Sequence, residues 1–118
     1  MPEPVEIRLN RAERRLEVRF DDGARFDLPA EYLRVESPSA EVQGHSLDQK
    51  QTVGGKRLVG LSGIEPVGNY AVRLTFDDGH DTGIFSWSYL YELGREQASR
   101  WAAYMAALQS KGLSRDRA

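Results

Sequence analysis

The sequence predicts an α+β fold: antiparallel β-sheet meanders with short helices and a C-terminal helix. Three observations lead there. Residues 5–10 and 16–20 alternate apolar and polar side chains, the period of a strand with one buried face. Two Asp-Asp-Gly segments, at 21–23 and 77–79, stand at strand ends, and Asp-Gly tolerates the positive φ of a tight hairpin. After Ser86 the apolar residues fall at helical spacing.

Taken in order, Val5–Asn10 and Leu16–Phe20 form two strands joined by a loop at residues 10–14. The Asp21-Asp22-Gly23 turn leads into a third strand at Arg25–Leu28, completing a meander. Pro29–Arg34 is expected to be a short helix with proline at its first position. A second short helix is expected from an N-cap at Ser37, with Pro38 following and Gly44 ending it. Residues 43–55 are polar and loop-like, and a loop of that length is often functional or mobile.

Strands resume at Lys56–Leu61, Ile64–Val67 and Tyr70–Phe76, and Asp77-Asp78-Gly79 turns the chain into Asp81–Phe85. Ser86 caps a helix over Trp87–Leu93, closed by Gly94. A last helix over Arg95–Gln109 presents Ala98, Trp101, Met105 and Leu108 on one face. Residues 112–118 are expected to fray. The two halves resemble each other: each reads strand, Asp-Asp-Gly, strand, then a short helix with Tyr-Leu, at Tyr32-Leu33 and at Tyr89-Leu90. Such a pair fits a pseudo-symmetric domain with a ligand groove between copies, or merely the convergence of good hairpin-to-helix units.

A chain of 118 residues has the size of a single domain with one core, expected at about residues 5–110. It contains no cysteine, which excludes disulfides, thiol catalysis and thiolate ligation. The start of the chain lacks the basic and apolar regions of a secretory signal, and no stretch approaches the ~18 apolar residues of a membrane helix. A cytoplasmic location is the expectation, with no membrane partner. Net charge is −2, which argues against nucleic acid as a ligand. The early arginines Arg8, Arg11, Arg14, Arg15 and Arg19 form either a phosphate-binding edge or, with Glu6, Glu13 and Glu17 interleaved, the solvated face of a hairpin.

The chemistry-bearing residues are few. His80 follows a turn and sits among Asp77, Asp78 and Asp81. A histidine with carboxylates can hold a divalent metal or move protons, but the turn already accounts for the aspartates. His45, in the long loop, is the other histidine. Gly54-Gly55-Lys56 lacks the upstream glycine and following Ser or Thr of a phosphate loop. Trp87 and Tyr91 share a helix face at i, i+4, and Tyr89 or Tyr91 is left for a partner if the other packs inward.

The runs Leu28-Pro29-Ala30-Glu31-Tyr32-Leu33-Arg34, Ser37-Pro38-Ser39-Ala40-Glu41, Ile64-Glu65-Pro66-Val67-Gly68-Asn69-Tyr70-Ala71 and Phe76–Trp87 resemble the gamma-butyrobetaine hydroxylase-like N-terminal domain family, in its small stand-alone bacterial form. The resemblance spans about residues 5–94. It implies a small α+β domain. In the hydroxylases this domain precedes a catalytic dioxygenase barrel and binds a structural zinc; elsewhere it is fused to P-loop ATPases that carry iron–sulfur clusters. The family's zinc histidine matches His80. Its cysteines would fall near Ser37, Ser39 and Val42, none of which is cysteine here. The structural zinc is therefore expected to be lost, and the barrel's iron site has no counterpart.

The expected function is a non-catalytic binding or adaptor module linked through the resemblance to iron–sulfur cluster handling. An iron–sulfur carrier ATPase is the expected protein partner, and the partner surface comprises Asp77, Asp78, His80, Asp81, Trp87 and Tyr91. The alternative is a metal- or small-ligand-binding protein or enzyme centred on His80 and its aspartates. Monomer and homodimer both stay open.

Overall fold

The computed structural model describes residues 2–44 and 50–116. His45 and the centre of the loop predicted around it lie outside the described residues. The chain forms two three-stranded antiparallel sheets. The first holds β1 (Pro4–Asn10), β2 (Arg15–Phe20) and β3 (Arg25–Pro29); α1 (Ala30–Val35) and α2 (Ala40–Gln43) follow. The second holds β4 (Leu61–Val67), β5 (Ala71–Phe76) and β6 (Ile84–Ser86); α3 (Trp87–Arg95) and α4 (Gln97–Ser110) complete the fold. This is the α+β architecture of meanders, short helices and a C-terminal helix that the sequence predicts.

Alternation places Leu16, Val18 and Phe20 of β2 and Leu74 and Phe76 of β5 in one buried cluster with Leu33, Phe85, Leu90 and Leu93. Each such side chain contributes roughly 1.5–3 kcal/mol by leaving water. Both meanders feed this one cluster, so among the described residues buried side chains occupy the space between them. The pseudo-repeat extends to individual bonds. Phe20 N–H reaches Ala24 O at 2.8 Å, and Phe76 N–H reaches His80 O at 2.9 Å. In each turn the second aspartate accepts from the residue after glycine: Asp22 from Ala24 N–H and Asp78 from His80 N–H. Gly23 and Gly79 take φ of 89° and 93°, which a side chain would resist.

Several boundaries differ from the sequence reading, each for a local reason. Residues 56–60 are not strand; Val59 N–H turns back to Lys56 O at 3.1 Å, and the strands expected at 56–61 and 64–67 are the single β4. The Ser62-Gly63 interruption is absorbed as a register shift between Leu61 and Gly63. Pro29 is the N-cap of α1 and not its first residue. The N-cap of α2 is Ser39, whose side chain accepts from Glu41 N–H, so Ser37 is free for another role. β6 starts at Ile84 and not at Asp81.

Gly94 lies inside α3 and does not end it. A Cβ there would sit 2.3 Å from Phe26 Cγ, so the glycine is needed for close helix-to-sheet packing. α4 buries Tyr104 and Leu108 and half-buries Trp101, leaving Ala98 and Met105 outward. Tyr104 explains the rotation: its hydroxyl donates to Val53 O at 2.6 Å. The tail expected to fray is docked as far as Asp116: Gly55 N–H donates to Ser114 O at 2.8 Å and Arg57 N–H to Arg115 O at 3.0 Å.

Candidate functional site

The β5–β6 turn delivers His80 to the connection between α1 and α2. Its side chain is 2% exposed. Nε2 lies 2.9 Å from Ser37 Oγ and Nδ1 lies 3.0 Å from Glu41 Oε2. Burial is the largest cause that lowers the His80 pKa below 6.5; Arg34 adds to it, while Glu41 and Asp78 oppose it. The neutral ring then has one consistent arrangement: Nδ1–H donates to Glu41, and the Ser37 hydroxyl donates to Nε2. Ser37 Oγ in turn accepts from Ser39 N–H at 3.3 Å. A polar chain thus runs from the α2 cap through Ser37 and His80 to Glu41.

Glycine makes this chain possible. A Cβ at Gly83 would lie 2.4 Å from Ser37 Oγ, so only glycine on the strand side of the turn leaves room for the hydroxyl. Beside it, Ser39 Oγ bonds Thr82 Oγ1 at 2.8 Å, and Val42 is buried.

Asp78 is the electrostatic hub of the same turn. Oδ1 accepts from His80 N–H; Oδ2 accepts from Arg34 Nε at 2.9 Å and Lys56 Nζ at 2.5 Å. Burial alone would raise the Asp78 carboxyl, but Lys56, the His80 amide and Arg34 together outweigh it and hold it at about 2. Asp77 and Asp78 rim a cleft of about 540 Å³ that also includes Lys56, Leu58, Arg57 and Arg115. Leu58 stands 70% exposed there.

The order Ser37–His80–Glu41 matches that of a hydrolase relay, but Ser37 is 0% exposed, and no substrate atom can reach its oxygen. Nor do the residues fit a structural zinc. A closed zinc site takes four nitrogen, sulfur or carboxylate donors. Here the cysteine-equivalent positions supply two hydroxyls already engaged and one valine, and both nitrogens of the one imidazole are bonded. Among the described residues no group of three or more histidine, cysteine and carboxylate side chains could hold a metal.

The residues expected to form a partner surface separate into different environments. Asp77 and Asp78 line the cleft, Asp81 is exposed, and His80 faces inward. Trp87 is half-buried with Nε1 donating to Asn69 O at 2.8 Å. Tyr91 packs edge-on against Phe20 and Phe26 and donates to Asp22 at 2.6 Å. Tyr89 is bonded as well, to Glu36 O. Sequence reasoning missed Glu41, Arg34 and Lys56 as partners of the turn, since nothing in their spacing signals it. The early arginines take the hairpin-face role: Arg8 and Arg15 pair with Glu17 at 2.8 and 2.9 Å. Asn10, Arg15 and Arg8 hold Glu17 at about 2.

Comparison with known proteins bears on this geometry. The family described as "Gamma-butyrobetaine hydroxylase-like, N-terminal" matches residues 7–91. An NMR solution structure is 52% identical with a TM-score of 0.86, covering 98% of this chain and 91% of the other. A second NMR structure is 48% identical with a TM-score of 0.84, covering 98% and 86%. A crystal structure from Acidithiobacillus ferrooxidans, described as a protein of unknown function, is 44% identical with a TM-score of 0.66, covering 78% and 92%. No curated protein matches the chain.

Proposed function

The chain belongs to the gamma-butyrobetaine hydroxylase-like N-terminal family, and we propose that it acts as a non-catalytic binding module whose contact surface is the cleft beside Asp77 and Asp78. The observation that carries this reading is Leu58, an apolar side chain 70% exposed in a cleft whose lining is mostly charged. Protein contacts set an apolar centre inside a polar rim, and Leu58 among its charged neighbours offers such a centre on a small scale. The His80 cluster supports the non-catalytic half, because both ring nitrogens of His80 and the Ser37 hydroxyl are bonded to other residues of the chain. The partner to test first is the one that the family resemblance implies, an iron–sulfur carrier ATPase.

The test pairs wild type with Leu58→Glu. Wild type is expected to bind the purified ATPase in a titration, and to recover it from native lysate, while Leu58→Glu loses both. Equal behaviour of the two proteins, or no binding by either, would sink the reading. The rival, a metal- or small-ligand-binding protein or enzyme centred on His80, requires the ring to leave Ser37 or Glu41. Titration with zinc, iron and manganese, read by NMR at His80, distinguishes it: saturable shifts at the ring favour the rival.

A further inference from the structure

We propose that the groove filled by residues 113–116 is a recognition site for a short, arginine-bearing segment of a partner protein, and that the chain's own segment is its internal stand-in. The proposal deepens the binding-module reading and rests on it.

The segment sits as a docked peptide would. Two backbone bonds, Gly55 N–H to Ser114 O at 2.8 Å and Arg57 N–H to Arg115 O at 3.0 Å, hold it as a bent segment against the turn at residues 55–58. A Cβ at Gly54 would lie 2.8 Å from Ser114 O, so glycine there admits the close approach. One side chain is the anchor. Arg115 Nε and Nη2 reach the two oxygens of Glu31 at 2.8 and 2.7 Å, and its guanidinium lies 5.2 Å from the centre of the Trp101 ring.

The groove demands a cation of that shape. Glu31 belongs to α1 and its side chain is 7% exposed. Among the described residues, Arg115 is the cation paired with it. A buried carboxylate stripped of its partner is costly, so a displaced segment must be replaced by another arginine. Lysine would not serve equally, because only the planar fork pairs bidentately and stacks on the indole. The rest of the attachment is light. Arg57 and Asp116 pair at the surface with side chains 44% and 62% exposed, a contact of little net weight. Gly112, at φ 65°, links the segment to α4.

The experiment uses the full chain, as wild type and Arg115→Ala, with the peptide Gly-Leu-Ser-Arg-Asp copied from residues 112–116 and its Arg-to-Ala form. The readout is the NMR shift of the Gly55 and Arg57 amides. The arginine peptide is expected to shift both saturably in Arg115→Ala, roughly tenfold or more weakly in wild type, where the internal segment competes, and the alanine peptide not at all. No saturable shift in either protein, with dispersed spectra, would overturn the proposal. Concentration-dependent broadening of these amides without peptide would assign the groove to the tail of a second copy and overturn it too. Should Arg115→Ala fail to fold, amide exchange in wild type decides: Gly55 and Arg57 are expected to exchange much faster than Phe20 and Phe76, and equal protection overturns the proposal. Loss of partner capture with peptide binding intact would sink only the adaptor reading; the reverse would sink only this one.

Discussion

The Tyr89 hydroxyl on α3 donates to the Glu36 carbonyl at the end of α1 at 2.5 Å. The exchange is reciprocal, since the Tyr32 hydroxyl on α1 donates to the Leu93 carbonyl on α3 at 2.7 Å. Each tyrosine thereby satisfies one of the carbonyls that a helix end leaves without a partner, and the two pseudo-repeats are cross-pinned through equivalent side chains. Burial, with Glu36 nearby, pushes the Tyr89 hydroxyl up to about 12, so it stays a donor throughout the neutral range. Tyr32→Phe, at a site 1% exposed, is expected to cost about 1–3 kcal/mol and Tyr89→Phe less. Urea unfolding of the two variants checks the order.

Ser37 and Ser39 do different work, and truncating them separates the roles. Ser39→Ala removes a cap and should cost about 1 kcal/mol. Ser37→Ala leaves buried His80 Nε2 without its donor and should cost more, about 1–3 kcal/mol. Equal costs by chemical denaturation would mean that the Ser37–His80 bond contributes little beyond the local turn.

Acid should weaken the fold in two separate windows. The folded-state pKa of His80 lies below 6.5. Above about pH 6.5 both states hold the ring neutral and the full stability is present; as pH falls from there, the unfolded chain takes the proton first and stability is lost. Asp78, held at about 2 against a usual 3.8, contributes stability above 3.8 that is lost as pH falls toward 2. His80→Gln is expected to flatten the urea midpoint between pH 7 and 5 while leaving the lower window in place. An unchanged slope between pH 7 and 5 would contradict the first assignment.

Gly94→Ala tests the packing of α3 on β3. Alanine gains about 1 kcal/mol of helix propensity, but its methyl would meet Phe26 at 2.3 Å, and overpacking costs roughly 1–3 kcal/mol. A lower melting midpoint is expected, recovered in part by Phe26→Leu on the same chain. A higher midpoint would show that the ring yields freely.

Zinc content gives a direct check on the His80 cluster. Protein from zinc-supplemented cells, dialysed and analysed by elemental mass spectrometry, is expected to hold far less than one zinc per chain. One zinc per chain, lost on His80→Gln, would show that Ser37 and Glu41 release the ring to a metal.

The first meander, β5, the two Asp-Asp-Gly turns and the Ser86 cap were legible in the residues, because alternation, turn chemistry and capping are decided within a few neighbours. The resemblance between halves was legible for the same reason. The partners were not. Glu41, Ser37 and Gly83 meet at His80 only because the second meander lays its turn over the α1–α2 connection, 43 residues away from Ser37 in sequence. The union of Glu31 with Arg115 spans 84 positions, and it turned a tail expected to fray into a docked segment. Gly94 was read as a helix stop because glycine usually ends a helix; the Phe26 ring gave it another use. Local rules act through backbone geometry and leave a signature in spacing. Pairings across the core depend on how two sheets and four helices close on one another, and that closure alone decided which polar groups are sealed, which are paired, and where Leu58 is left in water.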